Sequence, residues 1–344
     1  MASILDISRI TGISKSTVQR VLSGKGSFSE EMAEKVRATA RQLNYRPNSL
    51  ARAMKTKKTN MIGVIVYRKH MPIISHPFYG PILDSIASEL KKHGYGILLI
   101  PDSEINSNSG DWLIEHQVDG MVLISYITEQ LITYFRDLGI PFVLVNNSEM
   151  VNGVNYIIND DYQGAYDATC HLLQQGYRRI AFVSGPTLHR SYKLRLQGFL
   201  DSLSKHGLQP SFGYIHSGDS VLETGAAAAV QFLSLDMPPD AIFASNDMMA
   251  IGVLKEFYAR GIHVPQDIAL IGFDDIEYAR LTTPALTTVH VDKGTMGTTA
   301  VQKLMAMLER NEHSTEGIVL TPKLVVREST GHKTNYISSS TGGL

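Results

Sequence analysis

The stretch Gly12-Ile13-Ser14-Lys15-Ser16-Thr17-Val18-Gln19-Arg20-Val21-Leu22-Ser23-Gly24 decides how this chain begins to fold. Ser14 is placed to cap a helix, and Val18, Val21 and Leu22 recur at i, i+3 and i+4 before Gly24 stops it. Upstream, Ser3 and Asp6 have capping-box spacing, Ile4, Ile7 and Ile10 follow on one side, and Gly12 ends that helix. Downstream, Ser29 caps a third helix, with Glu30 and Glu31 at its positive end and Met32, Val36, Ala40 and Leu43 as its buried stripe. Two short helices about the turn at 12–14 predict a helix-turn-helix. Lys15, Ser16, Gln19 and Arg20 then lie off the apolar stripe and reach toward base edges in a major groove. Lys and Arg suit guanine acceptors, and Gln19 suits adenine. The competing reading is an ordinary solvated helix face.

Charge favours DNA. Residues 1–58 carry twelve Lys or Arg against four Asp or Glu, a net of +8. The whole chain is −1, so the other residues carry −9. A basic head on an acidic body is expected of a nucleic-acid reader fused to a unit that does not touch nucleic acid. At 344 residues the chain has room for two or three domains with sizeable cores. Its 43% hydrophobic and 19% charged content places it among ordinary globular proteins. The single cysteine, Cys170, excludes an internal disulfide framework and a cysteine-rich zinc site. It reads as a small buried hydrophobe in the helical run 165–173 rather than a reactive thiol. No apolar run reaches the ~18 residues of a membrane span, and the first residues lack the pattern of a signal peptide. A cytoplasmic protein with no membrane partner, no metal and no cofactor is expected.

Beyond residue 60 short apolar runs alternate with amphipathic stretches. The pattern predicts strands at 62–67, 95–100, 119–125 and 142–146, with helices at 79–93 and 129–138 between them. A second series has helices at 161–175, 194–206, 223–235 and 247–260, and strands at 179–184, 214–216, 241–245 and 268–273. Such alternation means parallel sheets covered on both faces. There are too many strands for one sheet, so two α/β lobes with a cleft between them are expected. Ligands of such sheets bind outside the carboxyl ends of strands. The residues there are polar: Asn146-Asn147, Ser245-Asn246-Asp247 and Gly272-Phe273-Asp274-Asp275, with His76-Pro77-Phe78-Tyr79 after the first strand and Arg195 early on a helix. Carboxylates and amides beside aromatic rings suit a small hydroxylated ligand. For Asp247 and Asp274, helix capping competes evenly with ligand contact.

The quoted run, with Leu43-Asn44-Tyr45-Arg46-Pro47-Asn48-Ser49-Leu50-Ala51-Arg52, resembles the DNA-binding segment of the lactose-repressor/galactose-repressor family of bacterial transcription regulators. So do Pro77-Phe78-Tyr79, Ser245-Asn246-Asp247, Gly272-Phe273-Asp274-Asp275, Pro284-Ala285-Leu286-Thr287-Thr288-Val289 and Leu324-Val325-Val326-Arg327-Glu328-Ser329 in its effector domain. The resemblance covers residues 3–330. It implies a helix-turn-helix head over 1–47, a hinge helix and linker over 48–60, and a periplasmic-binding-protein-like core over 61–330. Residues 331–344 read as a disordered tail.

Family resemblance also implies DNA contacts from Lys15, Ser16, Thr17, Gln19 and Arg20. In the hinge it implies contacts from Asn48, Ser49, Leu50, Arg52 and Met54, the last as an apolar wedge in the minor groove. The implied effector contacts are Phe78, Tyr79, Asn146, Arg195, Asn246 and Asp274. Departures are Gln19 for Ser, Ser23 for Asn, Met54 for Leu and Asn146 for Asp. Val221 stands where an aromatic residue is common, the 68–75 loop is long, and the 102–112 stretch is short. A homodimeric repressor on a pseudo-palindromic operator, controlled by a sugar-like effector, is the expected whole.

The chain has no His-Glu-x-x-His, Gly-x-Ser-x-Gly, Walker-type loop or cysteine cluster. Asp274 and Asp275 are adjacent at a strand end and should diverge rather than share a proton or metal. An enzyme is therefore not expected. The alternative to a switch is a helix-turn-helix regulator that uses its body only to dimerise, and a ligand response separates the two.

Overall fold

A computed structural model describes residues 2–24, 26–45, 58–67, 72–101, 118–147, 153–310 and 315–331. The chain divides into two units, Met1–Thr59 and Asn60–Leu344. The expected hinge (Asn48, Ser49, Leu50, Arg52, Met54), the 102–112 stretch, residues 68–71 of the long loop and the tail beyond 331 lie outside the described residues.

The first unit is three helices: α1 (Ile4–Thr11), α2 (Lys15–Leu22) and α3 (Glu30–Gln42). Ser3 and Asp6 form a reciprocal capping box, and Gly12, at φ 71°, closes α1 in the left-handed conformation. Ser14 and Ser29 accept the backbone N–H groups of Thr17 and Met32, each at 3.3 Å. The core is Ile7, Val18, Val21, Ala33, Val36 and Ala40. Of the other expected core residues, Ile4, Leu22 and Leu43 pack part-buried against it, whereas Ile10 is 58% exposed and Met32 37%. Six residues past Ile4, α1 has rotated Ile10 off the inward side, which Thr11 takes; in α3 the stripe runs through Ala33 instead.

The second unit holds two parallel sheets. The larger has β1 (Met61–Val66), β2 (Gly96–Pro101), β3 (Gly120–Ile124), β4 (Phe142–Val145), β5 (Asn155–Asn159) and β11 (Gly317–Leu320) in the order β11-β5-β4-β3-β1-β2. The smaller has β6 (Ile180–Ser184), β7 (Ile215–Ser217), β8 (Ala241–Ala244) and β9 (Ala269–Ile271) in the order β7-β6-β8-β9. Fully buried strands such as Gly-Met-Val-Leu-Ile and Ile-Ala-Phe-Val-Ser are the apolar runs that doubly covered parallel sheets require.

Helices cover them. α4 (Tyr79–Lys92) and α5 (Glu129–Asp137) belong with the larger sheet. α6 (Asp161–Gln174) and α7 (Arg190–Lys205) pair closely, as do α8 (Leu222–Leu233) and α9 (Asp247–Ala259). α7 begins four residues earlier than the pattern suggests. Cys170, on α6, is half-buried with Sγ 3.3 Å from Ser202 Oγ of α7.

The lobes are not two consecutive halves of sequence. After β10 (Thr288–His290), α10 (Lys293–Arg310) returns to pack on α4, and β11 joins the larger sheet beside β5. The chain then crosses back, where β12 (Lys323–Val325) pairs antiparallel with β10. It passes between the sheets three times: after β5, after β10 and after β11.

Candidate functional site

Each sheet has one place where its strand order reverses. In the larger sheet β1 lies between β2 and β3; in the smaller, β6 lies between β7 and β8. The crevices beyond the carboxyl ends of these pairs are where a ligand is expected. A cavity of about 490 Å³ lies there, and all six expected effector residues line it: Phe78, Tyr79, Asn146, Arg195, Asn246 and Asp274.

From the larger sheet come Phe78, Tyr79 and Asn146. His76 Nδ1 accepts the backbone N–H groups of Phe78 and Tyr79 at 3.2 and 3.3 Å, which sets the start of α4. That role needs a neutral imidazole, and burial pushes the His76 pKa down to about 4. The Tyr79 hydroxyl donates to Ser125 Oγ at 3.1 Å and accepts from Asn146 Nδ2 at 3.3 Å. Burial raises the Tyr79 pKa, so this phenol stays protonated.

From the smaller sheet come Arg195, Asn246 and Asp274. Arg195 is 3% exposed and its guanidinium carbon lies 3.7 Å from the Phe273 ring centroid. It donates to Asp161 Oδ1 at 2.8 Å and to the Ser245 carbonyl at 2.6 Å. Burial opposes its charge, but the carboxylates of Asp161 and Asp274 more than offset this and raise its pKa. Asp274 Oδ1 stands 3.1 Å from Arg195 Nη1 yet makes no directed hydrogen bond, so an acceptor in the cavity wall is left unsatisfied. Burial raises the Asp274 pKa to about 6, partly countered by Arg195 and Lys293.

Asn246 does two jobs. Its Oδ1 caps α9 by accepting from Met249 N at 2.8 Å, while its Nδ2 reaches the Tyr192 hydroxyl at 3.3 Å. The capping role considered for Asp247 therefore belongs to its neighbour. Asp247 is fully buried behind the cavity, accepting from the Thr288 hydroxyl at 2.5 Å and Ile276 N at 2.8 Å. Burial, then the charge of Asp274, raise its pKa well above the usual range. Asp275 diverges from Asp274, pairing with Arg327 at 2.6 Å and His290 at 2.8 Å.

Several strand ends are strained. Ser125, Asn146 and Asp274 have φ of 74°, 52° and 107°, the left-handed region that non-glycine residues avoid. Each sits at or beside the cavity, where such strain tends to concentrate. His76, His189, Tyr192, Ser220 and Val221 also line the cavity. Tyr192 had no distinguishing signal except Gly185, where a Cβ would stand 2.5 Å from the Tyr192 ring.

In the first unit Lys15, Ser16, Gln19 and Arg20 are exposed on α2, and Thr17 is half-buried with its hydroxyl 2.9 Å from the Ser14 cap. Five polar residues thus project from, or flank, one face of the second helix of a helix-turn-helix. Among the described residues no cluster of His, Cys, Asp or Glu could hold a metal ion, and no helix is long and apolar enough to cross a membrane.

A helix-turn-helix unit and a two-sheet periplasmic-binding-protein-like unit in one chain define a bacterial regulatory protein. The family model described as "Bacterial regulatory proteins, lacI family" matches residues 3–48, and that described as "Periplasmic binding protein-like domain" matches 169–330. The ribose operon repressor of Escherichia coli (strain K12) is 32% identical over 334 residues, 96% of this chain and 100% of the relative. The repressor PurR of Vibrio cholerae is 31% identical over 336 residues, covering 96% and 98%. The lac repressor dimer bound to operator and an anti-inducer superposes with a TM-score of 0.85 at 25% identity, covering 96% and 99%. The chain belongs to the lacI family of bacterial regulatory proteins.

Proposed function

We propose that this protein is a homodimeric transcriptional repressor whose affinity for a pseudo-palindromic operator is set by a small, neutral, hydroxylated effector, a sugar or sugar derivative. The observation that carries the effector half is the convergence of Phe78, Tyr79 and Asn146 from one sheet with Arg195, Asn246 and Asp274 from the other on a single cavity. A ligand there touches both lobes and can change their relative angle. The charge on Arg195 is already matched by two carboxylates, so the cavity offers little to a phosphate and favours hydroxyl donors to Asp274. Lys15, Ser16, Thr17, Gln19 and Arg20 read the major groove. Family resemblance supports further DNA contacts from Asn48, Ser49, Leu50 and Arg52 and an apolar wedge in the minor groove from Met54.

A thermal-shift screen of the full chain against sugars, sugar phosphates and purines tests this, followed by operator binding with each hit. Neutral sugars should raise the melting temperature and alter operator affinity. Asp274→Ala should remove that response while operator binding persists. If no compound moves either quantity, the body serves dimerisation only.

A further inference from the structure

The cavity has a neighbour. A second chamber of about 330 Å³ is lined by Tyr67, Tyr126, Pro186, Leu188, Asp219 and the three residues it shares with the first, His189, Ser220 and Val221. Tyr67 follows β1 and Tyr126 follows β3 by two residues, so the pair brackets the reversal point of the larger sheet. The first chamber's strongest polar groups gather instead around the smaller sheet. Both chambers are lined from both sheets, the second by Tyr67 and Tyr126 from the larger and by residues after β6 and β7 from the smaller.

The two compartments differ in chemistry. The first offers Arg195, Asn246 and Asp274, all buried. The second is walled by rings: Tyr67 and Tyr126 have centroids 5.4 Å apart, Tyr126 and His189 5.5 Å, and Tyr67 and His189 6.3 Å. His189 also lies 6.1 Å from Tyr192 of the first chamber, which makes it the post between the two. Leu188, 74% exposed, and Val221, 44% exposed, add apolar surface, while Asp219 and Ser220 supply polar groups at the edge. Aromatic walls with an edge carboxylate match a pyranose ring, whose C–H face packs on the rings and whose rim hydroxyls donate to the carboxylate.

We propose that the effector is a disaccharide, its first ring bound by Arg195, Asn246 and Asp274 and its second held by Tyr67, Tyr126 and His189. This rests on the carbohydrate reading above and narrows it. Val221, smaller than the aromatic residue common at this place in the family, lines both chambers.

Calorimetry on the full chain with glucose, galactose and ribose against cellobiose, maltose, lactose, trehalose and sucrose tests it. At least one disaccharide should bind about tenfold or more tighter than its component monosaccharides, roughly 1.4 kcal/mol. Tyr126→Ala should collapse that preference to below about threefold, a loss on the scale of one ring contact. Leu188→Asp, at an exposed position that folding does not depend on, should reduce the preference in the same direction. If a monosaccharide binds as tightly as every disaccharide, or the preference survives both substitutions, the two-ring reading falls and the carbohydrate reading stands. If no sugar of either size binds, both fall.

Discussion

Asp274 carries three burdens: a left-handed backbone, a buried charge and an unsatisfied oxygen. Its pKa of about 6 in the folded chain lies above the ordinary 3.8, so the native state holds the proton more tightly than the unfolded state does. The stability this contributes is complete below about pH 3.8 and is lost as pH rises through about 6. Asp274→Asn cannot ionise, so calorimetry should show it melting higher than the parent at pH 8, with the gap closing toward pH 4. A gap that is constant across that window would mean the carboxylate is not strained. On α2, Arg20→Ala or Lys15→Ala should weaken operator binding by about 1–3 kcal/mol and relax base preference while effector binding stays intact. A parallel loss of both activities in gel-shift and calorimetric titrations would contradict that division. Legibility at this scale was uneven. Phe78, Asn146, Arg195 and Asp274 could be picked out because strand ends and the familiar motif mark them. Asn246 was marked by the same motif, but that it rather than Asp247 caps α9 could not be read, since adjacent residues at a helix start differ only in direction. Tyr67, Tyr126 and His189 form their group only when loops from both sheets are brought together.

Among the elements, α8 and α9 meet more tightly than side chains permit. A Cβ on Gly225 would lie 1.9 Å from the Met249 carbonyl oxygen, and one on Gly252 2.0 Å from that of Leu222. Backbone cannot yield as a side chain tip can. Gly225→Ala should therefore destabilise the chain by about 1–3 kcal/mol or more in urea unfolding. It should also lower effector affinity, because Val221–Glu223, Asn246 and Met248, at the starts of these helices, line the cavity. A stable variant with unchanged ligand binding would show that the helices can part freely. Most strands and helices were legible because buried parallel strands are short apolar runs and covering helices carry a 3.6-residue stripe. The returning segment was not. The start of α10, Lys-Gly-Thr-Met-Gly-Thr-Thr, has poor intrinsic helix propensity, and its helix depends on Gly297 seating against Ile82 and Ser85 of α4. β11 finds its partner β5 some 160 residues away, which no local pattern announces.

For the whole molecule, effector and operator must be coupled reciprocally. If saturating effector changes operator affinity by some factor, saturating operator must change effector affinity by the same factor. Fluorescence anisotropy in one direction and calorimetry in the other should agree. Unequal factors would show that a third state, such as subunit dissociation, intervenes. The basic head and acidic body were legible from charge alone, whereas the three passages between the sheets are a property only of the folded chain. Those passages have a consequence for biosynthesis. The four-stranded sheet has all its strands by Ile271, but the six-stranded one waits for residues 317–320. At about 5–20 residues per second, β5 stands as a bare edge on the ribosome for on the order of ten seconds or more. The lobe into which the DNA-binding head leads thus closes its sheet later than the other, and the last residues to pack, β12 and Ser329, then return to the four-stranded lobe, so that neither lobe is whole until the end of the described chain has been made.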